Sequence, residues 1–202
     1  MLGAVANAEH RFDDAAAALT RAAALSETLG FAGQAALHLT TLGRVQQRSG
    51  APEQALDTLT RAIQAATTGG DLRIAATARI HLARTLRGAG DLAAAQALLE
   101  ENDRWYRASG GGDGALLTRG GLAALAVESD PEAAIGDLQA VLEEARRHHD
   151  LETQTLALDA LARAAVTQGD PQRAAQLLHQ ADGLHPQVQH TLDDADRLDA
   201  EA

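Results

Sequence analysis

Gly50-Ala51-Pro52-Glu53-Gln54-Ala55 reads as the punctuation between two helices, and the chain repeats it. His10-Arg11-Phe12-Asp13-Asp14-Ala15, Gly90-Asp91-Leu92-Ala93-Ala94-Ala95, Ser129-Asp130-Pro131-Glu132-Ala133-Ala134 and Gly169-Asp170-Pro171-Gln172-Arg173-Ala174 stand in the same register. The five segments follow one another at intervals of 40, 40, 39 and 40 residues. Gly50, Gly90 and Gly169 fit the residue that closes a helix, and Asp130 and Asp170 fit the cap that opens the next. Proline then occupies the first helical position, where a missing N–H costs nothing.

An amphipathic stripe follows each segment. Four positions past the closing alanine come Leu19, Leu59, Leu99, Leu138 and Leu178, and three further on Ala22, Ala62, Asn102, Val141 and Ala181. This is the i, i+4, i+7 spacing of a helix with one apolar face. A second helix precedes each segment, as in Phe31 to Arg48 with Leu39, Leu42 and Val45, and Leu151 to Gln168 with Leu158, Leu161 and Ala165. Gly30, Gly69-Gly70-Asp71, Gly110-Gly111-Gly112-Asp113 and His149-Asp150 separate the units. Each unit is a pair of helices that cannot bury both members without a neighbour.

The composition agrees. Alanine fills 47 of 202 positions, β-branched residues and aromatics are scarce, and no stretch alternates with period two, so the expected fold is all-α. All 17 basic residues are Arg and there is no Cys, which excludes disulfides, thiolate metal sites and a cysteine nucleophile. The absence of Lys beside abundant Ala, Gly and Arg suggests a GC-rich genome. No apolar run is long enough to span a membrane, Met1 to His10 lacks the marks of a signal peptide, and a cytoplasmic location is expected. A net charge of −11 argues against direct nucleic-acid binding by this segment.

The register resembles that of the tetratricopeptide repeat (TPR) family. Leu42-Gly43, Gly50, Ala55, Leu59 and Ala62 carry the family pattern in full, and Leu2-Gly3, Leu82-Ala83 and Leu161-Ala162 keep its first pair. Unit four departs with Gly121-Leu122, and Leu39, Arg79, Thr118 and Leu158 replace the usual aromatics of the first helix. Units near 40 residues resemble the longer branch found in adaptors and in sensor portions of large bacterial transcription regulators. The resemblance implies an α-solenoid of antiparallel helix pairs wound as a right-handed superhelix. One domain over residues 1–202 is expected, with units at about 1–30, 31–70, 71–112, 113–150 and 151–186 and a cap at 187–202. Leu2-Gly3 sits where the middle of a first helix belongs, so a truncated first unit or a fragment of a longer protein is expected. The terminal stretch carries five acids against Arg197, a net −4 that suits a polar cap.

In that family the first helices line the concave face, so ligand residues are expected there. The residue after the Leu-Gly or equivalent pair is Arg44, Arg84, Ala123 and Arg163 in units two to five. Arg48 and Arg87 follow one turn later, with His81 and Arg119 close by on the same faces. Guanidinium groups in register would hold carboxylate or phosphate through paired hydrogen bonds, and the alternative is pairing with acids such as Asp159 or simple solvation. The Lys and Asn of carboxylate-clamp repeats are missing from this column, so no chaperone-tail specificity follows. Trp105 and Tyr106, beside Arg104 and Arg107, either fill a gap between helix ends or form a second hot spot. His148-His149-Asp150 fits a helix end better than a metal site, because neighbouring helical side chains diverge by about 100°. Gly110 to Gly114 lacks the strand and the Gly-Lys-Ser/Thr of a phosphate loop.

No catalytic motif is present, so no enzyme, cofactor or metal is expected. The leading expectation is a scaffold that binds a partner protein or an acidic peptide in its groove. The alternative is a signal- or ligand-sensing segment of a larger bacterial transcription regulator. End-to-end stacking into a homo-oligomer is a third.

Overall fold

The computed structural model describes the backbone of residues 2–112 and 114–184, and the side chains from residue 12 onward within those limits. The described residues form helices only: α1 (Leu2–Thr28), α2 (Ala32–Arg48), α3 (Pro52–Thr68), α4 (Leu72–Gly88), α5 (Leu92–Ala108), α6 (Ala115–Ala126), α7 (Pro131–Arg147), α8 (Leu151–Thr167) and α9 (residues 171–184). The fold is an all-α solenoid type in which consecutive helices pack on one another from α1 to α4 and again from α6 to α8. The cap expected at 187–202 lies outside the described residues.

Helix ends set the period. Six helices (α2 to α5, α7 and α8) are 17 residues long. They close by one device, in which the backbone N–H just past the end reaches back to the last turn. Ala51 N–H donates to the Gln46 carbonyl at 2.8 Å, and Asp91 to Leu86, Asp150 to Ala145 and Asp170 to Ala165 at 2.9 Å each. This closure needs a left-handed residue, supplied by Gly50 at φ 78° in the first case and by His149 at φ 55° in the third. The next helix is then capped by Asp71, Asp91, Asp130, Asp150 or Asp170, each accepting from the N–H three residues on.

Two expected breaks differ. His10 to Ala15 holds neither Gly nor Pro, so nothing there favours a left-handed end, and α1 runs through it as one 27-residue helix. Ser129 stands where the segments at 50, 90 and 169 have a helix-closing glycine of positive φ. Accordingly α6 is 12 residues long and frays into tighter bonds, Ser129 and Asp130 both donating to the Ala126 carbonyl at 3.1 and 2.8 Å.

Contacts gather the chain into two compact units, Met1–Trp105 and Tyr106–Ala202. In the first, α2 rests on α1, α3 and α4, and α3 on α4. Its interior is thin and mostly methyl groups: Leu39 packs with Ala23, Ala62 and Ala78, while Leu59 packs with Ala55 and Leu82. Such closeness depends on Gly43, where an added Cβ would lie 2.5 Å from Leu59 Cγ. In the second unit, α7 packs on α6 and α8, around Leu138, Val141, Leu156 and Leu158. The close approach in α6 falls at Gly120, not at the expected Gly121-Leu122; a Cβ there would meet Leu156 and Val141 at 3.1 and 3.2 Å. The leucine stripe is buried at Leu59, Leu99 and Leu138, but Leu19 is half-buried and Leu178 exposed.

Candidate interaction site on the first helices

In the first unit, Arg44 on α2 and Arg84 on α4 stand one repeat apart on adjacent first helices. Both are half-buried. One turn before Arg84 lies His81, only 2% exposed. Burial chiefly, and then the charges of Arg44 and Arg84, hold its imidazole well below the usual pKa of 6.5, so His81 is neutral at pH 7. Its Nδ1 is buried and meets no hydrogen-bond partner among the described residues. The backbone at this point is pinned: the His81 carbonyl accepts from Gln47 Nε2 at 2.6 Å and from the Thr85 hydroxyl at 3.1 Å, and Gln47 also donates to Thr85 Oγ1. A side chain of α2 thereby fixes α4 where the charges of both arginines reach the imidazole.

Among the described residues Arg44 makes no ion pair or hydrogen bond, while Arg84 also interacts elsewhere in the protein. The neighbouring cations are committed. Arg48 lies 5.2 Å above the Phe12 ring, a cation–π contact, and Arg87 ends α4 at the negative pole of its dipole. His81 is thus a buried group beside the arginines instead of a surface ligand.

The second unit treats its arginines otherwise. Arg163 on α8 donates to the Ala124 carbonyl at 3.3 Å, with its Nε 4.0 Å from the Glu128 carboxylate. Arg119 on α6 pairs with Glu144 of α7 at 3.0 Å. Ala123 of the same column is buried. The column read from the repeat therefore contains two kinds of arginine, one group around His81 and another tied to α6 and α7.

Tyr106 is 3% exposed, and Trp105 beside it is half-buried. His149 takes the left-handed position after α7, and Asp150 caps α8, accepting from Thr153 N–H at 3.0 Å and its hydroxyl at 2.5 Å. Three contacts escaped the sequence reading. Arg79 pairs with Glu101 at 2.9 Å, Gln47 clamps α4, and the fully buried Asn102 donates to the Ala76 carbonyl at 2.8 Å. The only signal for Asn102 was a carboxamide inside an alanine stripe. A cleft of about 330 Å³ also opens where α1, α2 and α3 meet, lined by Glu27, Ala32, Ala35, Arg61 and Ala65.

The family model described as soluble NSF attachment protein, SNAP, matches residues 7–129, more than half of the chain. The chain belongs to the SNAP family. A tetratricopeptide repeat model matches residues 157–190 of the same SNAP-family chain, in line with the TPR-type register. Two solved structures share its fold, both of a Podosopora anserina protein assigned as a kinesin light chain with nearly identical TPR-like repeats. The first, a single-substitution form of that protein, is 18% identical and covers 90% of each chain with a TM-score of 0.58. The second, without the substitution, is 18% identical, covers 89% of this chain and 90% of its own, and has a TM-score of 0.56. Among curated proteins none matches the chain.

Proposed function

We propose that this chain is a non-catalytic interaction scaffold whose first helices receive an acidic partner protein or peptide. Arg44 supports this most directly: a half-buried guanidinium with no acidic partner among the described residues, held with Arg84 around a neutral histidine. Leaving a cation partly desolvated and unpaired is costly, and a carboxylate from outside would offset that cost with paired hydrogen bonds. The TPR-type fold suits an interaction role, and the family's name denotes attachment proteins, the same role in general form. Arg163 and Arg119 would serve the same partner only by exchanging contacts they already make, so the first unit carries the greater share. No helix among the described residues is long and apolar enough to cross a membrane, and the location we infer is the cytoplasm.

The test is a pull-down that compares the wild type with Arg44→Gln and Arg84→Gln combined, and with Arg119→Gln. Loss of an acidic partner with the first pair and retention with the second supports the reading. Equal capture by all three proteins would refute it.

A further inference from the structure

His81 has no place in a simple charged groove. It is buried, its Nδ1 lacks a partner among the described residues, and the charged groups whose fields reach it are two cations, Arg44 from α2 and Arg84 from its own helix. Neither α3 nor α5 presents a described charge that shifts it; the α5 acid Glu101 is already held by Arg79. Gln47 and Thr85 hold the His81 backbone but leave the ring's Nδ1 unsatisfied. A buried nitrogen without a partner, near a guanidinium without a counterion, describes a site built for a group that is not part of this chain.

We propose that Arg44 and Arg84 form an oxyanion subsite for a carboxylate of an acidic peptide, with His81 taking up a proton when that carboxylate arrives. This rests on the acidic-partner reading above and adds to it a coupling. The carboxylate offsets the two positive charges that add to burial in keeping the imidazole neutral, and the imidazolium then adds a third attractive charge to the ligand's surroundings. Arg44 and Arg84 are binding residues; His81 is a positioning residue that makes the site tighter in mild acid. By linkage, the ligand that promotes protonation of His81 is itself bound more tightly when His81 is protonated.

The probes are a hexaglutamate peptide and inorganic phosphate, added to the whole chain. The readouts are the His81 imidazole titration followed by NMR and the peptide affinity over a pH series from 7.5 down to 5.0. Saturating peptide should raise the His81 midpoint by about one pH unit or more, and affinity should grow as the pH falls towards that raised midpoint. Arg44→Gln and Arg84→Gln should each abolish both effects while leaving the circular dichroism melt in place, and His81→Gln should bind with a flat pH profile. Peptide binding that leaves the His81 titration unmoved, or that survives in both arginine variants, overturns the subsite but not the scaffold. No binding by any probe overturns both. Phosphate that reproduces the shift at equal concentration, and displaces the peptide, overturns the assignment to a peptide carboxylate.

Discussion

At Gly43 one methyl group separates a tight helix contact from a clash. A Cβ there would lie 2.5 Å from Leu59 Cγ, and Leu59 is fully buried with nowhere to retreat. Gly43→Ala gains about 1 kcal/mol of helix propensity but meets an overpacking cost of about 1–3 kcal/mol, so the variant should be less stable in urea. Gly136, on an exposed face of α7 with open space around it, is the control: Gly136→Ala should raise stability by about 1 kcal/mol. His81 has a pH signature. Its folded pKa is depressed below 6.5, so above that value folding and unfolding exchange no proton at this group. Below it the unfolded chain binds a proton that the folded chain refuses, and stability falls by about 1.4 kcal/mol per pH unit until the folded pKa is reached. Urea curves at pH 7.5 and 5.5 should show this loss, and His81→Gln should remove it.

At the scale of the helix, caps distinguish otherwise equal elements. Asp130 opens α7 by accepting from Ala133 N–H, whereas Ala51 opens α3 with no side-chain bond, although proline and glutamate follow both. Ala51→Asp recreates the Asp-Pro-Glu of α7 and should add about 1 kcal/mol, visible as slower amide exchange in the first turn of α3. The same logic explains what could be read from the sequence. Helix ends were legible because left-handed closure and side-chain capping restrict residue type, and Gly50, Gly90, Gly169, Asp130 and Asp170 report it directly. The first break was not legible, because the stripe around Leu19 repeats faithfully while His10 to Ala15 contains nothing that stops a helix. Periodicity records which face is buried; only the end residues record where the chain turns. In α6 the small residue at the contact is Gly120, beside the Gly121-Leu122 pair that the repeat register aligns there.

On the scale of the whole molecule, charge and site oppose each other. The repeat column pointed to Arg44 and Arg84, but burial of His81 and the ties of Arg163 to Ala124 and Glu128 depend on packing that no spacing encodes. A net charge of −11 repels an acidic partner at distances beyond the roughly 10 Å screening length of 0.1 M salt. Attraction begins only when a carboxylate reaches the two guanidiniums, where partial burial reduces screening. Association should therefore lack long-range steering, with an on-rate in the unsteered range of about 10⁵–10⁶ M⁻¹s⁻¹. As salt rises from low to moderate concentration, added ions weaken the distant repulsion before they weaken the contact. The on-rate for hexaglutamate should then stay level or increase while the off-rate climbs, both read by stopped-flow fluorescence from a dye-labelled peptide. An on-rate that drops tenfold over the same range would mean that the acidic surface does not govern approach, and that the partner meets a positive field this charge balance does not provide.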